Sequence, residues 1–231
     1  MVLMPALLGM LALSACGGGG EPAAATLIQQ AKQAISKDTA YHFKMTMDHP
    51  GTGGSSSISI TQAEGDVVPP DKIQGSAEVA TGFGSLTVQF IGIGTQQWVQ
   101  NPQNQQWTTP SSLGFDIGPL PNPSTIITMV LNDMQNPQGT GDDSVDSGDC
   151  WLLEGMVPAG DLAAITGGDP TSKTPIDTRV CVAKNADGQG LYQPYEFILK
   201  GIAAAGDTAQ TTRTFQLSKF DENVNIEPPP Q

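Results

Sequence analysis

Tyr41-His42-Phe43-Lys44-Met45-Thr46-Met47-Asp48 alternates apolar and polar side chains without a break. Successive side chains of a β-strand point to opposite faces, so a period of two puts Tyr41, Phe43, Met45 and Met47 on one face and the polar four on the other. A helix would scatter both sets around its axis. The stretch therefore reads as a strand with one wet face and one apolar face.

The same period recurs downstream. Residues 57–61 repeat it with Ile58 and Ile60 inward, and residues 72–80 carry a weaker version. Residues 85–93 place Leu86, Val88 and Phe90 on one face; residues 96–100 carry Trp98, and Trp107 follows the turn-rich Asn101-Pro102-Gln103-Asn104. Turn signals about every ten residues indicate an antiparallel meander. After a Gly/Pro-rich excursion, Asn122-Pro123 opens a helix as a cap residue followed by Pro at the first helical position. Ile126, Ile127, Val130, Leu131 and Met134 form its apolar face, and Asn136-Pro137 is expected to end it. Residues 142–149 read as an acidic turn and 150–157 as a nearly all-apolar strand. Next comes a short helix over 158–165, with Leu162 and Ile165 inward. Strands over 176–183, 191–201 and 211–220 follow, and Tyr195, Phe197 and Leu199 alternate along the second of these.

Runs of strands interrupted by a few helices define an α+β fold with an antiparallel sheet. A sheet of this many strands must curl. Helices on one face would line its concave side, and a cavity remains there if they do not fill it.

Upstream, Leu27, Ile28, Ala31, Ala34 and Ile35 recur at helical spacing within residues 24–36. Before them, residues 17–25 are small and make a tether. Leu13-Ser14-Ala15-Cys16 closes an apolar run from Val2 to Ala15. A run of about 14 residues is too short to span a bilayer, which takes roughly 20. Small residues before a single Cys, behind such a run, read as a lipoprotein signal. The expected chemistry is diacylglycerol transfer to the Cys16 thiol, cleavage before Cys16, and acylation of the new terminus. Each buried methylene then holds the protein on the membrane by about 0.8 kcal/mol. No Lys or Arg precedes Cys16, which suggests a native start upstream of Met1. The organisation expected is a signal over 1–15, a lipidated tether over 16–25 and one domain over 26–228, extracytoplasmic and anchored through Cys16.

The chain carries 10 Lys and Arg against 23 Asp and Glu, a formal net charge of −13. Such a surface is a poor partner for nucleic acid and gives no attraction to anionic headgroups, so the covalent anchor must do the holding. Cys150 and Cys181 remain as an even pair, and export makes a disulfide the default. It would close a loop of about 30 residues, which stabilises by about 3–4 kcal/mol in the chain-entropy treatment. No Gly-x-Ser-x-Gly elbow, phosphate-binding Gly loop or His-Glu-x-x-His is present, and His42 lies on the wet side of its strand. No catalytic residue, metal or cofactor is assigned. Asp142, Asp143, Asp146 and Asp149 could be a Ca²⁺ loop or a solvated turn; their spacing is not that of an EF-hand. Met45, Met47, Met129, Met134 and Met156 fall on or beside apolar faces, where flexible thioethers suit either an irregular core or variable acyl chains.

Several stretches together resemble one family. They are the lipobox with the following helix and the 41–48 strand; the 75–90 hairpin leading to Trp98 and Trp107; "PSTIITMVLNDMQNP" over 123–137; "WLLEGMVPAGDL" over 151–162; "VCVAKNADGQGLYQPYEFILKG" over 180–201; and the ending "FQLSKFDENVNIEPP". In order and pattern the series is similar to the LprG/LppX-type envelope lipoproteins and covers nearly the whole mature chain. The resemblance implies a strongly curved antiparallel half-barrel with helices on its concave side. Between them it implies a large apolar cavity for acyl chains of glycolipids or acylglycerols, in a monomer that moves or presents them across the envelope. A membrane transporter is a further possible partner. On this basis Ile126, Ile127, Val130, Leu131 and Met134 should form one cavity wall, with Val88, Phe90, Leu152, Met156 and Phe197 opposite. The Cys150/Cys181 pair and the scarcity of Lys and Arg depart from the family pattern. The rival readings are an adaptor for a transporter or sensor with a filled core, and a hydrolase with an unrecognised site.

Overall fold

A computed structural model describes residues 21–50, 59–81, 84–113 and 123–230. The lipobox, Cys16 and most of the tether lie outside these residues. The chain begins with α1 (Ala24–Ile35) and continues into β1 (Tyr41–Asp48), β2 (Ser59–Val68), β3 (Lys72–Thr81), β4 (Gly84–Ile93), β5 (Gln96–Gln100) and the two-residue β6 (Trp107–Thr108). It then passes through α2 (Pro123–Asp133), β7 (Gln135–Val145), β8 (Gly148–Pro158) and a short 3-10 turn into α3 (Ala163–Thr166). It finishes with β9 (Pro175–Ala183), β10 (Pro194–Lys200) and β11 (Thr212–Ser218).

Eleven strands form one antiparallel sheet in the order β6-β5-β4-β3-β2-β1-β11-β10-β9-β8-β7. Each half is a local meander, and the halves meet where the first strand pairs with the last. Phe43 lies opposite Leu217 and Met45 opposite Phe215 across that seam. The ends, β6 and β7, do not pair, so the sheet is open. Laid flat, eleven strands at about 4.8 Å spacing would span roughly 48 Å. Yet inward side chains from Val99 of β5 to Val157 of β8 belong to one core with Leu27 of α1 and Leu131 of α2. The sheet therefore wraps around its helices, as a sheet of this width must. Gly65 and Gly75 face each other across β2 and β3. A Cβ on either would lie about 2 Å from the opposite backbone carbonyl, so only glycine permits this close approach.

The first strand spans the eight residues its alternation indicates. Two expectations need correction. Residues 135–145 form β7, whereas the pattern suggested a helix continuing to Pro137 and a later acidic turn. This strand is the sheet edge, mostly exposed and shifted in register twice against β8, and Asn136 sits at φ 50°. An edge strand needs no apolar face and tolerates Pro and charge, so it leaves no period to read. Second, β2 starts at Ser59 and runs ten residues; Ile60 stands opposite Val79 on the apolar face but is 37% exposed. A register shift separates Ile60 from Gln62 at that end of the strand. Ile58 lies outside the described residues. The first helix begins at Ala24, where its spacing begins, and Glu21 before it accepts a hydrogen bond from the Gly141 N–H at 3.1 Å.

Candidate functional site

Spacing of three and four turns Ile127, Val130, Leu131 and Met134 to one side of α2 and its C-terminal exit, and all four are buried. Ile126 packs partly buried against the same core. At the start of α2, the Tyr41 and Ser124 hydroxyls share a hydrogen bond of 2.9 Å, which ties the helix to β1. Tyr41 is fully buried, and that burial pushes its phenol well above the usual tyrosine range. Lys32 of α1 donates to Asn132 of α2 at 2.5 Å, joining the two helices on their outer side.

The facing sheet contributes alternate residues. On β10, Phe197 and Leu199 point into the core; on β9, Val180 and Val182 do so. On β8 the inward set is Trp151, Leu153 and Val157, with Gly155 between them. A Cβ at Gly155 would lie 2.5 Å from the Met134 side chain, which shows how tightly α2 meets this strand. Phe90 is buried in the same core and Val88 packs half-buried against it. Of the residues singled out from the sequence, Ile126, Ile127, Val130, Leu131, Met134, Val88, Phe90 and Phe197 thus come together around one apolar core.

Leu152 and Met156 do not join them. Leu152 packs with Cys150 and Cys181 in a second cluster, and Met156 pairs across from Asp177 on the same outer face. The expected parity of β8 was off by one residue, which inverts every side chain. The strand is apolar on both faces, so its period is weak. The available signal was Glu154: it shares parity with Leu152 and Met156 and pairs outward with Arg179 at 2.7 Å. A charged side chain on that set places Leu153 inside.

Cys150 and Cys181 form the disulfide, with Cα atoms 5.4 Å apart, and it staples β8 to β9 on the outer face. Asp142 lies on β7 and pairs with Lys184, whose hydrogen bond holds that carboxylate below its usual range. Among the described residues, no three His, Cys, Asp or Glu side chains gather as a metal would require. His42 Nδ1 lies 2.8 Å from Asp66 on the neighbouring strand, on the outer face.

Two polar nodes close the ends of the site. In the β10–β11 connection, buried Arg213 pairs bidentately with Asp207, both contacts at 2.9 Å, and Asp207 also accepts from the Ala203 and Ala204 N–H groups. At the opposite end, buried Gln193 donates to Asp38 at 2.8 Å and to Asp187 at 3.0 Å. Burial pushes the Asp38 carboxyl up to about 7 against the opposing Gln193 bond, with Asp221 and Asp187 adding to the rise.

The helices do not cover the apolar face evenly. α1 packs on β7, β8 and β10, and α2 on β8. On the β1–β4 side, Met45 and Val88 are half-buried and Leu86 is 43% exposed, all on the apolar face by register. The site is thus an apolar trough between helices and sheet, buried at Phe43, Val67, Ile73, Ala77 and Phe90 and less covered toward Leu86.

An open, wrapped antiparallel sheet with helices against one apolar face is the fold of a class of bacterial lipoproteins. It superimposes on the crystal structure of LprF from Mycobacterium bovis with a TM-score of 0.66 at 15% identity, covering 91% of this chain and 99% of that one. The crystal structure of the lipoprotein LppX from Mycobacterium tuberculosis gives 0.59 at 20% identity, covering 88% and 98%. No curated protein matches the chain in sequence. Residues 23–226 match the LppX_LprAFG lipoprotein family, and the chain belongs to that family.

Proposed function

We propose that this protein is a membrane-anchored lipoprotein that holds acyl chains of lipids or glycolipids in the trough and carries or presents them across the cell envelope. In this reading residues 1–15 are removed, Cys16 bears the anchor, and residues 26–228 form the single lipid-binding domain. The supporting observation is the uneven roof. The β1–β4 side carries an apolar cross-strand row, Met45, Ala63, Ala77 and Val88, in which Ala77 is buried and the other three are half-buried. A 16-carbon chain entering water from a bilayer would lose about 12 kcal/mol at about 0.8 per methylene. A carrier need only offer a similarly apolar slot, so that transfer is near neutral. Ile126, Ile127, Val130, Leu131 and Met134 supply the roofed wall, and Val88, Phe90 and Phe197 the sheet wall. Trp151, Leu153 and Val157 take the place first given to Leu152 and Met156.

Native mass spectrometry of a Cys16→Ser protein, purified gently and then extracted with organic solvent, tests the reading. The expected result is a co-purifying acylated lipid that is lost in Val88→Trp, where an indole fills the less covered part of the trough. A protein that is empty and takes up no added fluorescent lipid would refute carriage and leave an adaptor role.

A further inference from the structure

Strand pairing sorts the molecule into two ends. Lys200 lies opposite Thr212, and Thr212 opposite Asp48, so the β10–β11 connection and the end of β1 share one end. Ser59 opposite Ala80, and Thr81 opposite Gly84, place the start of β2 and the β3–β4 connection there too. The β2–β3, β7–β8 and β9–β10 connections lie at the other end, with the residues after β11.

The two ends differ in chemistry. Ile60, Leu86 and Ile202 are the exposed large apolar side chains among the described residues, at 37, 43 and 50%. All three lie at the first end. Ile60, Val79 and Leu86 stand in one cross-strand row that continues the trough outward. From Leu86 on β4 to β10 is five strand spacings, about 24 Å, so the set lies along one end of the sheet. The exposed charges beside it are Lys173 and Lys200 against Asp48, Asp133, Asp169 and Asp177, and the Asp207 carboxylate is neutralised by Arg213. The other end exposes Asp71, Asp143, Asp146, Asp149, Asp187 and Glu222 against Lys37 and Lys219, and is the more acidic of the two. A bilayer with anionic lipid repels that end more than the first.

We propose that the rim carrying Ile60, Leu86 and Ile202 docks on a lipid bilayer surface, orienting the trough mouth toward the membrane and the acidic end away. Scattered exposed apolar residues need no explanation, but three at one end, in line with an apolar trough and away from the acidic pole, form a directed patch. Shallow insertion of Ile and Leu side chains at the headgroup boundary suits such a patch. Docking does not depend on the trough holding lipid, and its test separates the two.

The anchored full-length protein is placed on vesicles of phosphatidylcholine with dibrominated acyl chains, which quench nearby indoles. Leu86→Trp and Ile202→Trp report the rim and Asn185→Trp the acidic end; Trp98, Trp107 and Trp151 contribute equally to all three. At least twofold quenching of the added indole at both 86 and 202, with none at 185, is the expected result. The added substitution Ile60→Asp should then abolish it. Quenching at 86 alone would mean lipid uptake without docking and would overturn the proposal while supporting carriage. Equal quenching at 185, or none at any position, would overturn it outright. So would loss of quenching accompanied by a dimer in sedimentation, which would assign the rim to a second copy of the chain.

Discussion

Asp38→Asn should make the protein less sensitive to alkali. Asp38 is 5% exposed and Gln193 2%. Gln193 Nε2 donates to Asp38 Oδ1, while Asp38 Oδ2 and Gln193 Oε1 are buried without a hydrogen-bond partner. Two acceptors in that state call for a donor, and a proton on Oδ2 supplies one. The titratable groups around the carboxyl are Asp187 in the β9–β10 connection, Asp221 after β11, and the buried Tyr41 phenol; none brings a positive charge. The carboxyl, pushed up to about 7 from 3.8, binds its proton more tightly folded than unfolded. Between those values the folded state holds more protons, so this group's contribution is full below the unfolded value and is lost as pH rises to about 7. At about 1.4 kcal/mol per pH unit, going from pH 5 to pH 8.5 removes about 3 kcal/mol. Asparagine is neutral throughout and its Oδ1 can accept from Gln193 Nε2. Urea unfolding of wild type and variant at both pH values, at matched ionic strength, measures the difference. The variant should gain about 3 kcal/mol on wild type between pH 5 and 8.5 with an unchanged m-value. A wild-type-to-variant difference equal at the two pH values would refute the protonated pair.

Asp207→Ala strips the partner from Arg213 and the acceptor from two backbone N–H groups, so it should cost about 3–5 kcal/mol in urea unfolding. Gly155→Ala drives a methyl onto Met134 and the Gln135 carbonyl and should cost about 1–3 kcal/mol, read as a lower denaturation midpoint. Reducing Cys150–Cys181 should lower stability by about 3–4 kcal/mol, measured with and without reductant.

Much of the fold was legible in the chain alone, because period two is a local property. The alternation from Tyr41 to Asp48, the 72–80 and 85–93 strands, the helical spacing in α1 and α2, and the parity of the two cysteines in an exported chain each need only neighbours to be read. The apolar residues of α2 could be assigned in the same way, since one face of a helix is apolar and the other is not. Local reading failed where local contrast vanished. In β8 both faces are largely apolar, with Glu154 the one local signal, and the pairing of Leu153 with Val180 and of Leu152 with Cys181 assigns them to the core and the disulfide side. In β7 neither face is apolar, so its pairing with β8 and not its own pattern makes it a strand. The joining of β1 to β11, the meeting of Asp38 with Gln193 across 155 residues, and the gathering of Ile60, Leu86 and Ile202 at one end are products of chain closure. By itself the sequence determined which segments alternate and which face of α2 is greasy. Only the tertiary structure decided register, which carboxyl is buried, and where the apolar trough opens, because those depend on contacts between residues far apart in the chain.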